Sequence, residues 1–417
     1  MRSNFLAGGV VIVVMLLGPD VTAPQAAEVP PIQGCPFDGV VRNYKQLVLA
    51  LRHFAQTGTC PHITIPVGTT LDLEKSISIG DVHTGLHLTI AGTIRWTGIP
   101  ERDGKMFQLS GAKNVLIDGH GMITSIYDPA QYVDQGIGRA IRILGSHSVT
   151  IRDLNCTKMG SMVQVETGGG TTDLQLINLH ADNMVDYGVW TNDVVGLTVR
   201  NCSVRRAGLH SFRLYGNNLN VEDCSSHNAQ RTGLWIPYGV DVVVNGMASD
   251  TWIRFGPDNG PDGGPGDRLL NLIARRIDTT DIVTVEMGTV GATFIDLCST
   301  LLIGRPAEQV THPKPLDNVH WANVAGIVTV VFNPLNGPNI GDAPGVYCFA
   351  DIVRDGEVDV NDILAVINGW GRCPPVPGGS GFPYPPCAGD IVPIVCGNHF
   401  VNLDDLLAVL NAFGVCP

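Results

Sequence analysis

The sequence predicts an all-β main domain wound as a parallel β-helix, followed by a small α-helical domain at the C-terminus. Two repeats indicate this arrangement. Short strand-like segments recur every 22 to 25 residues in the first part of the chain, and two helix-like segments lie 43 residues apart in the last part. The 50 glycines among 417 residues, together with many Val, Ile and Leu residues, also suit short strands joined by tight turns.

The strand-like repeat superposes without internal gaps in five segments: VTIRDLNC, LQLINLHA, LTVRNCSV, LNVEDCSS and VVVNGMAS. Each segment alternates apolar and polar residues on both sides of a turn residue, which is in order Asp153, Asn178, Asn201, Asp223 and Gly246. A chain that returns to the same point every 22 to 25 residues, with three short strands per turn, forms a coil in which like residues stack. The residue after the turn is therefore predicted to face inward, which makes Cys202 and Cys224 buried thiols rather than a disulfide.

The strand before each segment supplies a second set of aligned residues. Its triplets are FQL, IRI, VQV, VWT, FRL and LWI, in which mostly apolar residues flank a middle residue that should face outward. This outer column contains Gln108, Arg142, Gln164, Trp190, Arg213 and Trp235. With about 4.8 Å between coils, Arg213 can stack between two indole rings. The column is predicted to bind a polysaccharide through these side chains, and cross-strand packing without a ligand is the alternative.

A second charged column is predicted two residues before recurrent glycines. Its members are Lys158, Asp186, Arg206 and Arg231. Guanidinium groups bind carboxylates bidentately, so three cations near the outer column could hold an anionic sugar such as a uronate. Surface charges paired at a turn would explain the same pattern.

The N-terminal segment indicates export. Arg2 precedes the apolar run GVVIVVMLLG, and small residues follow in TAPQAAE, as in a signal peptide over residues 1–27. The run is too short to span a bilayer, and no later stretch could do so, although a retained anchor is the alternative. We expect a secreted or cell-surface protein. Cys35 and Cys60 bracket a segment with helical periodicity, Asn43 to Phe54, and could form a disulfide around this predicted capping helix.

The net charge of −13 argues against nucleic acid as a partner, because phosphate binding needs a broad basic surface. Eight of the acidic residues lie in residues 348–417, so the main domain can still present a basic face.

Residues 36–335 resemble the secreted right-handed parallel β-helix superfamily that includes pectate lyases, polygalacturonases and alginate-modifying enzymes. The repeat period, the IPVG segment at 65–68 and the IDGHG turn at 117–121 carry this resemblance. It implies a fold and a polysaccharide substrate. The catalytic motifs of these families are not reproduced: TND occurs at 191–193, but GHG precedes it and the paired aspartates are missing.

Candidate catalytic residues are therefore assigned from chemistry. In a lyase, Arg213 and Arg206 would neutralise a uronate while His210 removes a proton, with His227 from the next coil as the alternative base. Hydrolysis would need two carboxyl groups. Asp186 and Asp193 flank the Trp190 strand, and Glu166 and Asp182 lie on nearby coils. A binding or structural protein without catalysis is the alternative. The segment RFGPDNGPDGGPGD at 254–267 is predicted to protrude as a solvated loop or to wall a cleft.

The C-terminal repeat aligns NDILAVINGWG with DDLLAVLNAFG at an offset of 43 residues. Residues 348–417 resemble a dockerin, a paired calcium-binding module that attaches carbohydrate-active proteins to scaffolds, and residues 336–347 would form the linker. The resemblance implies a cohesin-like partner and one calcium loop, DIVRDGEVDVND. Its ligands would be Asp351, Asp355, Glu357, Asp359 and Asp362. The second loop has an insertion and His399 in place of the turn glycine.

Overall fold

The computed structural model describes twelve segments of the chain. These are residues 35–100, 103–132, 137–256, 269–279, 281–285, 289–290, 292–304, 320–330, 357–372, 400–401, 403–411 and 414–415. The predicted signal peptide, the linker 336–347, most of the predicted loop at 254–267, and Asp351 and Asp355 lie outside the described residues.

The main domain is a coil of parallel strands, in which each strand pairs with its counterpart one turn later. The chain enters it through helix α1 (Tyr44–Thr57), which is capped by Asn43. The first coils contain β1 (His62–Ile65), β2 (Thr70–Leu73), β3 (Ile77–Gly80), β4 (His87–Ile90), β5 (Thr93–Trp96), β6 (Lys105–Ser110), β7 (Lys113–Asp118), β8 (Met122–Ser125) and β9 (Arg139–Leu144).

The central coils combine long and short strands. The long ones are β10 (His147–Thr157), β12 (Thr172–Met184), β14 (Val194–Arg200), β17 (Gly216–His227) and β19 (Gly239–Ser249). The short ones are β11 (Ser161–Val165), β13 (Tyr187–Trp190), β15 (Ser203–Ala207), β16 (His210–Arg213), β18 (Thr232–Ile236) and β20 (Trp252–Phe255).

The coil continues beyond the point where the sequence repeat fades. Its later strands are β21 (Leu269–Thr279), β22 (Ile282–Val285), β23 (Thr289–Val290), β24 (Thr293–Gly304) and β25 (His320–Val330). Here β21 pairs with β24, and β24 pairs with β25, all in parallel.

The register predicted from the five segments is confirmed. Val149 pairs with Leu174, and the same position continues through Leu197, Leu219 and Val242. The predicted turn residues all have a left-handed backbone, with φ of 57° at Asp153 and 87° at Gly246. Asn, Asp and Gly tolerate this conformation best, which explains why they recur at this position.

The interior is one continuous apolar core, to which every described coil up to β22 contributes. Helix α1 inserts Leu47, Leu51 and Phe54 into the same core, so the helix predicted from Asn43 to Phe54 is present. Its role as a cap stays a prediction. Cys35 and Cys60 form the anticipated disulfide. Cys202 and Cys224 are buried free thiols, as predicted.

The described part of the C-terminal region contains two short helices, α2 (Val360–Asn368) and α3 (Leu403–Asn411). Two antiparallel pairs join the flanking segments: β26 (Glu357–Val358) with β29 (Gly414–Val415), and β27 (Gly371–Arg372) with β28 (Phe400–Val401). The segment before each helix thus pairs with the segment after the other. Among the helices in the described ranges, none is both long and apolar enough to cross a membrane.

Candidate functional site

The predicted outer column exists with the predicted register. Gln108 pairs with Arg142, Arg142 with Gln164, and Gln164 with Trp190. Trp190 then pairs with Arg213 and Arg213 with Trp235. One further member follows on β20, Arg254, which pairs with Trp235. The column therefore runs along the coil axis as a straight row of side chains.

A second column lies beside it on the same outer face. Its members are Arg139, Ser161, Tyr187, His210, Thr232 and Trp252. The ring of Tyr187 lies 5.0 Å from that of Trp190, which shows that the two columns are lateral neighbours. We call these two columns together the aromatic face.

In β9, β11, β13, β16 and β18, the members of the two columns stand three residues apart with two consecutive inward positions between them. In β13 these are Gly188 and Val189, so Tyr187 and Trp190 both point outward. A Cβ at Gly188 would overlap the buried Val204 side chain and the carbonyl of Ser211. Only glycine fits at this position in β13.

Arg213 is held among aromatic rings. Its guanidinium carbon lies 4.4 Å from the Trp235 ring centroid, 5.0 Å from that of Tyr215 and 5.7 Å from that of Trp190. The predicted stacking between two indoles is therefore present, and cation–π attraction favours it. Arg213 Nη1 also donates to the Tyr187 hydroxyl at 3.4 Å, while its Nε has no hydrogen-bond partner. No carboxylate in the described part of the chain forms an ion pair with Arg213.

The exposure predicted for the outer column is wrong at two members. Trp235 is 3% exposed, because Arg213 and Arg254 cover its ring and its indole N–H donates to the Gly256 carbonyl at 3.1 Å. Gln164 is 2% exposed. Neither side chain can offer a face to a sugar in this conformation. Trp190, Arg213 and Arg142 remain half-buried and accessible.

His210 proves to be part of a repeated structural contact. Its Nδ1 lies 2.5 Å from Thr232 Oγ1, its direct neighbour on the next coil. His147 pairs with Thr172 and His180 with Ser203 in the same way, at 3.0 and 2.6 Å. His210 is 5% exposed and stacks on Tyr187. His210 was predicted to remove a proton from a substrate, but its ring is buried and bonded to a neighbouring side chain.

A hydrogen-bonded network occupies the polar end of the aromatic face. Arg139 Nε donates to Gln164 Oε1, and Gln164 Nε2 donates to Glu166 Oε1 at 2.7 Å. Glu166 Oε1 also lies 3.0 Å from Arg142 Nε. The Arg142 N–H has no aligned acceptor, so we describe this contact as an ion pair rather than a hydrogen bond. Sequence reasoning missed Arg139, although its alignment with Tyr187 and His210 was a usable signal.

Three carboxylates influence the pKa of Arg139. Burial lowers the pKa of Arg139, whereas Glu166, Asp103 and Asp186 act to raise it. Asp186 and Glu166 therefore both lie within electrostatic range of one guanidinium. The sequence had predicted Asp186 and Asp193 as a carboxylate pair. Asp193 is exposed and accepts a hydrogen bond from the Tyr238 hydroxyl at 3.0 Å.

The predicted second charged column does not exist as one column. Register places Lys158 and Arg206 at the left-handed turn with Asn183 and Asn228. The same pairing places Asp186 and Arg231 three residues after that turn, in line with Leu209. The glycines used as landmarks are of two kinds, because Gly160 and Gly208 lie in turns while Gly188 and Gly233 lie inside strands.

Arg206, a predicted neutralising residue, already has a carboxylate partner. It forms a bidentate ion pair with Asp182, in which Nε donates to Oδ1 at 2.8 Å. This pairing raises the pKa of Arg206 through the hydrogen bond to Asp182. Arg206 is thus committed to a surface pair, which is the alternative that the sequence had left open.

Of the predicted calcium ligands, only the last three fall within the described residues. Asp359 caps α2 and accepts from the Asn361 amide at 2.6 Å. Asp362 is fully buried, and its Oδ2 accepts from the Asp359 amide at 2.8 Å. Only the backbone of Glu357 is described. The carboxylate oxygens of the two aspartates are suitable calcium ligands, but each carboxylate also accepts a hydrogen bond from a backbone amide at the N-terminus of α2.

Comparison with known proteins supports the fold. Residues 132–247 match the family model for a right-handed β-helix region. An endo-xylogalacturonan hydrolase from Aspergillus tubingensis superposes with a TM-score of 0.53 at 12% identity, over 75% of this chain and 98% of that one. The tailspike protein of E. coli bacteriophage HK620, in complex with a pentasaccharide, gives 0.51 at 13% identity, over 71% of this chain and 60% of that one. At such identities the likeness shows the fold alone. No curated protein matches the sequence.

Proposed function

We propose that the protein engages an acidic polysaccharide on its aromatic face. The observation that carries this proposal is Arg213, a half-buried arginine whose guanidinium is held by aromatic rings and has no carboxylate partner in the described part of the chain. A guanidinium fixed in this way is pre-organised to donate two hydrogen bonds to a sugar carboxylate, and Trp190 beside it can stack on a pyranose ring. The two structural neighbours, a polysaccharide hydrolase and a tailspike holding a pentasaccharide, support the ligand class.

Among cleavage chemistries, hydrolysis is favoured over elimination. The residue considered as a lyase base, His210, is buried beneath Tyr187 and bonded to Thr232. Glu166 and Asp186, by contrast, both act electrostatically on Arg139, and Glu166 is linked to it through the Gln164 amide. Two carboxyl groups are what glycoside hydrolysis requires. Polysaccharide binding without cleavage is the second candidate function, supported by the absence of the known catalytic motifs from the sequence.

The test is a panel of uronic-acid polymers, with and without calcium, in which binding is followed by calorimetry and cleavage by unsaturated-product absorbance and reducing ends. We expect binding, and Arg213→Ala should weaken it at least about tenfold, or about 1.4 kcal/mol. Arg213→Lys keeps the charge and should weaken it less. Arg200→Ala, an exposed arginine on the long strand β14, is the matched control and should change nothing. Failure of the wild-type protein to bind any acidic polymer would refute the proposal.

We also propose that residues 348–417 form a dockerin-like attachment module that binds one calcium ion and a cohesin-like protein. Its support is the duplicated helix sequence and the reciprocal pairing of the segments around α2 and α3. The first loop would hold the ion through carboxylate and carbonyl oxygens. Calorimetry of the full chain with calcium should give a signal that Asp351→Ala removes. A signal that survives this substitution would contradict the loop assignment.

A further inference from the structure

The two accessible arginines of the outer column differ in their surroundings. Arg142 is paired with Glu166, whereas Arg213 has aromatic neighbours and no carboxylate partner among the described residues. Three coil steps separate them, from Arg142 through Gln164 and Trp190 to Arg213. At about 4.8 Å per step, the two guanidinium positions lie roughly 14 Å apart along the face.

Glu166 is held firmly in its place. Its Oε1 accepts from Gln164 Nε2 at 2.7 Å, and the Gln164 amide is itself buried and fixed by Arg139. A side chain fixed by a buried amide cannot swing away at low cost, because the amide would lose its acceptor in a poorly solvated place. Glu166 and Arg142 are nevertheless 22% and 26% exposed at the side chain, so a bound polymer would meet both.

A negative sugar at Arg142 would therefore face a fixed negative charge. The sugar carboxylate would compete with Glu166 for one guanidinium, and two carboxylates at one cation repel each other. Discrimination through an unfavourable contact is a common source of specificity. A neutral sugar would meet no such repulsion, and its hydroxyls could donate to Glu166 and accept from Arg142.

We propose that Glu166 makes the aromatic face selective for polymers in which anionic sugars are separated by neutral ones. The anionic group occupies the position at Arg213, and a neutral unit occupies the position at Arg142. This inference rests on the proposed function, since it concerns the same face. The inference specifies the charge pattern of the bound polymer, which the proposed function leaves open.

The experiment compares two probes with one backbone: fully de-esterified polygalacturonate and its partially methyl-esterified form. The full chain should bind the partially esterified polymer at least as tightly. Glu166→Gln keeps the hydrogen-bonding shape but removes the charge. We expect it to gain about tenfold in affinity for the fully charged polymer and less than about twofold for the esterified one. Glu166→Asp keeps the charge and should retain the wild-type preference.

Glu222→Gln is the matched control. Glu222 also accepts from an amide two residues earlier, Asn220 Nδ2 at 2.7 Å, but it lies on the long strand β17. The Glu222→Gln variant should therefore bind both polymers with the affinity of the wild-type protein. If Glu166→Gln gains affinity equally for both polymers, or gains none, the inference is overturned. The proposed function still stands in that case, provided that the wild-type protein binds. Wild-type protein that binds neither polymer overturns both. Thermal unfolding of each variant verifies that the fold is intact.

Discussion

Two outer faces of the same coils differ sharply in what they carry. The aromatic face bears Tyr187, Trp190, Arg213 and Trp235 on short strands. The long strands β10, β12, β14, β17 and β19 bear an outward column of smaller side chains: Thr150, Gln175, Thr198, Asn220 and Val243. Both faces obey one register, so a repeating architecture does not by itself create a binding site.

The difference lies in lateral contact between columns. On the aromatic face, two outward columns stand beside each other, and large side chains reach across and cover their neighbours. Trp235 is buried in this way although its strand position points outward. Every member of the column from Thr150 to Val243 stays at least partly exposed. The comparison teaches that, on an open sheet face, side-chain size decides burial more than strand alternation does.

The largest expected effect that tests this contrast is on stability. Trp235→Ala should lower the free energy of unfolding by about 3–5 kcal/mol, because it removes a buried ring on which two guanidinium groups pack. Thr198→Ala, on the other face of the same coils, should cost no more than about 0.5 kcal/mol. Urea unfolding followed by circular dichroism measures both. A loss at Trp235 as small as that at Thr198 would show that the aromatic face is not a packed layer.

A smaller effect sharpens the role of the histidines. His210→Asn should cost about 1 kcal/mol of stability, the usual contribution of one hydrogen bond. His180→Asn should cost a similar amount, because His180 makes the same contact with Ser203 on the next coil. The pH dependence of any cleavage should be unchanged in both variants. Loss of cleavage in His210→Asn alone, at unchanged stability, would restore His210 as a catalytic base.

Much of the fold could be predicted because parallel coils stack like residues on like residues. The superposition of five segments predicted the register, the turn residues and the outer column from Gln108 to Trp235, but not its further member Arg254. The second charged column failed for a local reason: glycines in turns and glycines inside strands look alike in sequence. Gly188 is needed for an inward position in β13, whereas Gly208 lies in a turn.

The sequence predicted which side chains make up the candidate site, but not which of them form ion pairs with each other. The sequence placed Arg213 between Trp190 and Trp235, and it also placed Arg206 near a sugar. Only the structure pairs Arg206 with Asp182 and Arg142 with Glu166. These partners come from adjacent coils, 24 residues away in each case, and belong to different columns.

The sequence by itself thus determined the coil, its register and the order of side chains along the outer column, because these depend on a period that stacking preserves. Tertiary structure decided which outward side chains are covered and which charges are already neutralised. Those outcomes depend on how far a side chain extends sideways to the neighbouring column. The spacing of the repeat encodes neither side-chain length nor rotamer. This accounts for the difference between Arg213, which is accessible, and Trp235, which is not, although both occupy the same position in consecutive coils.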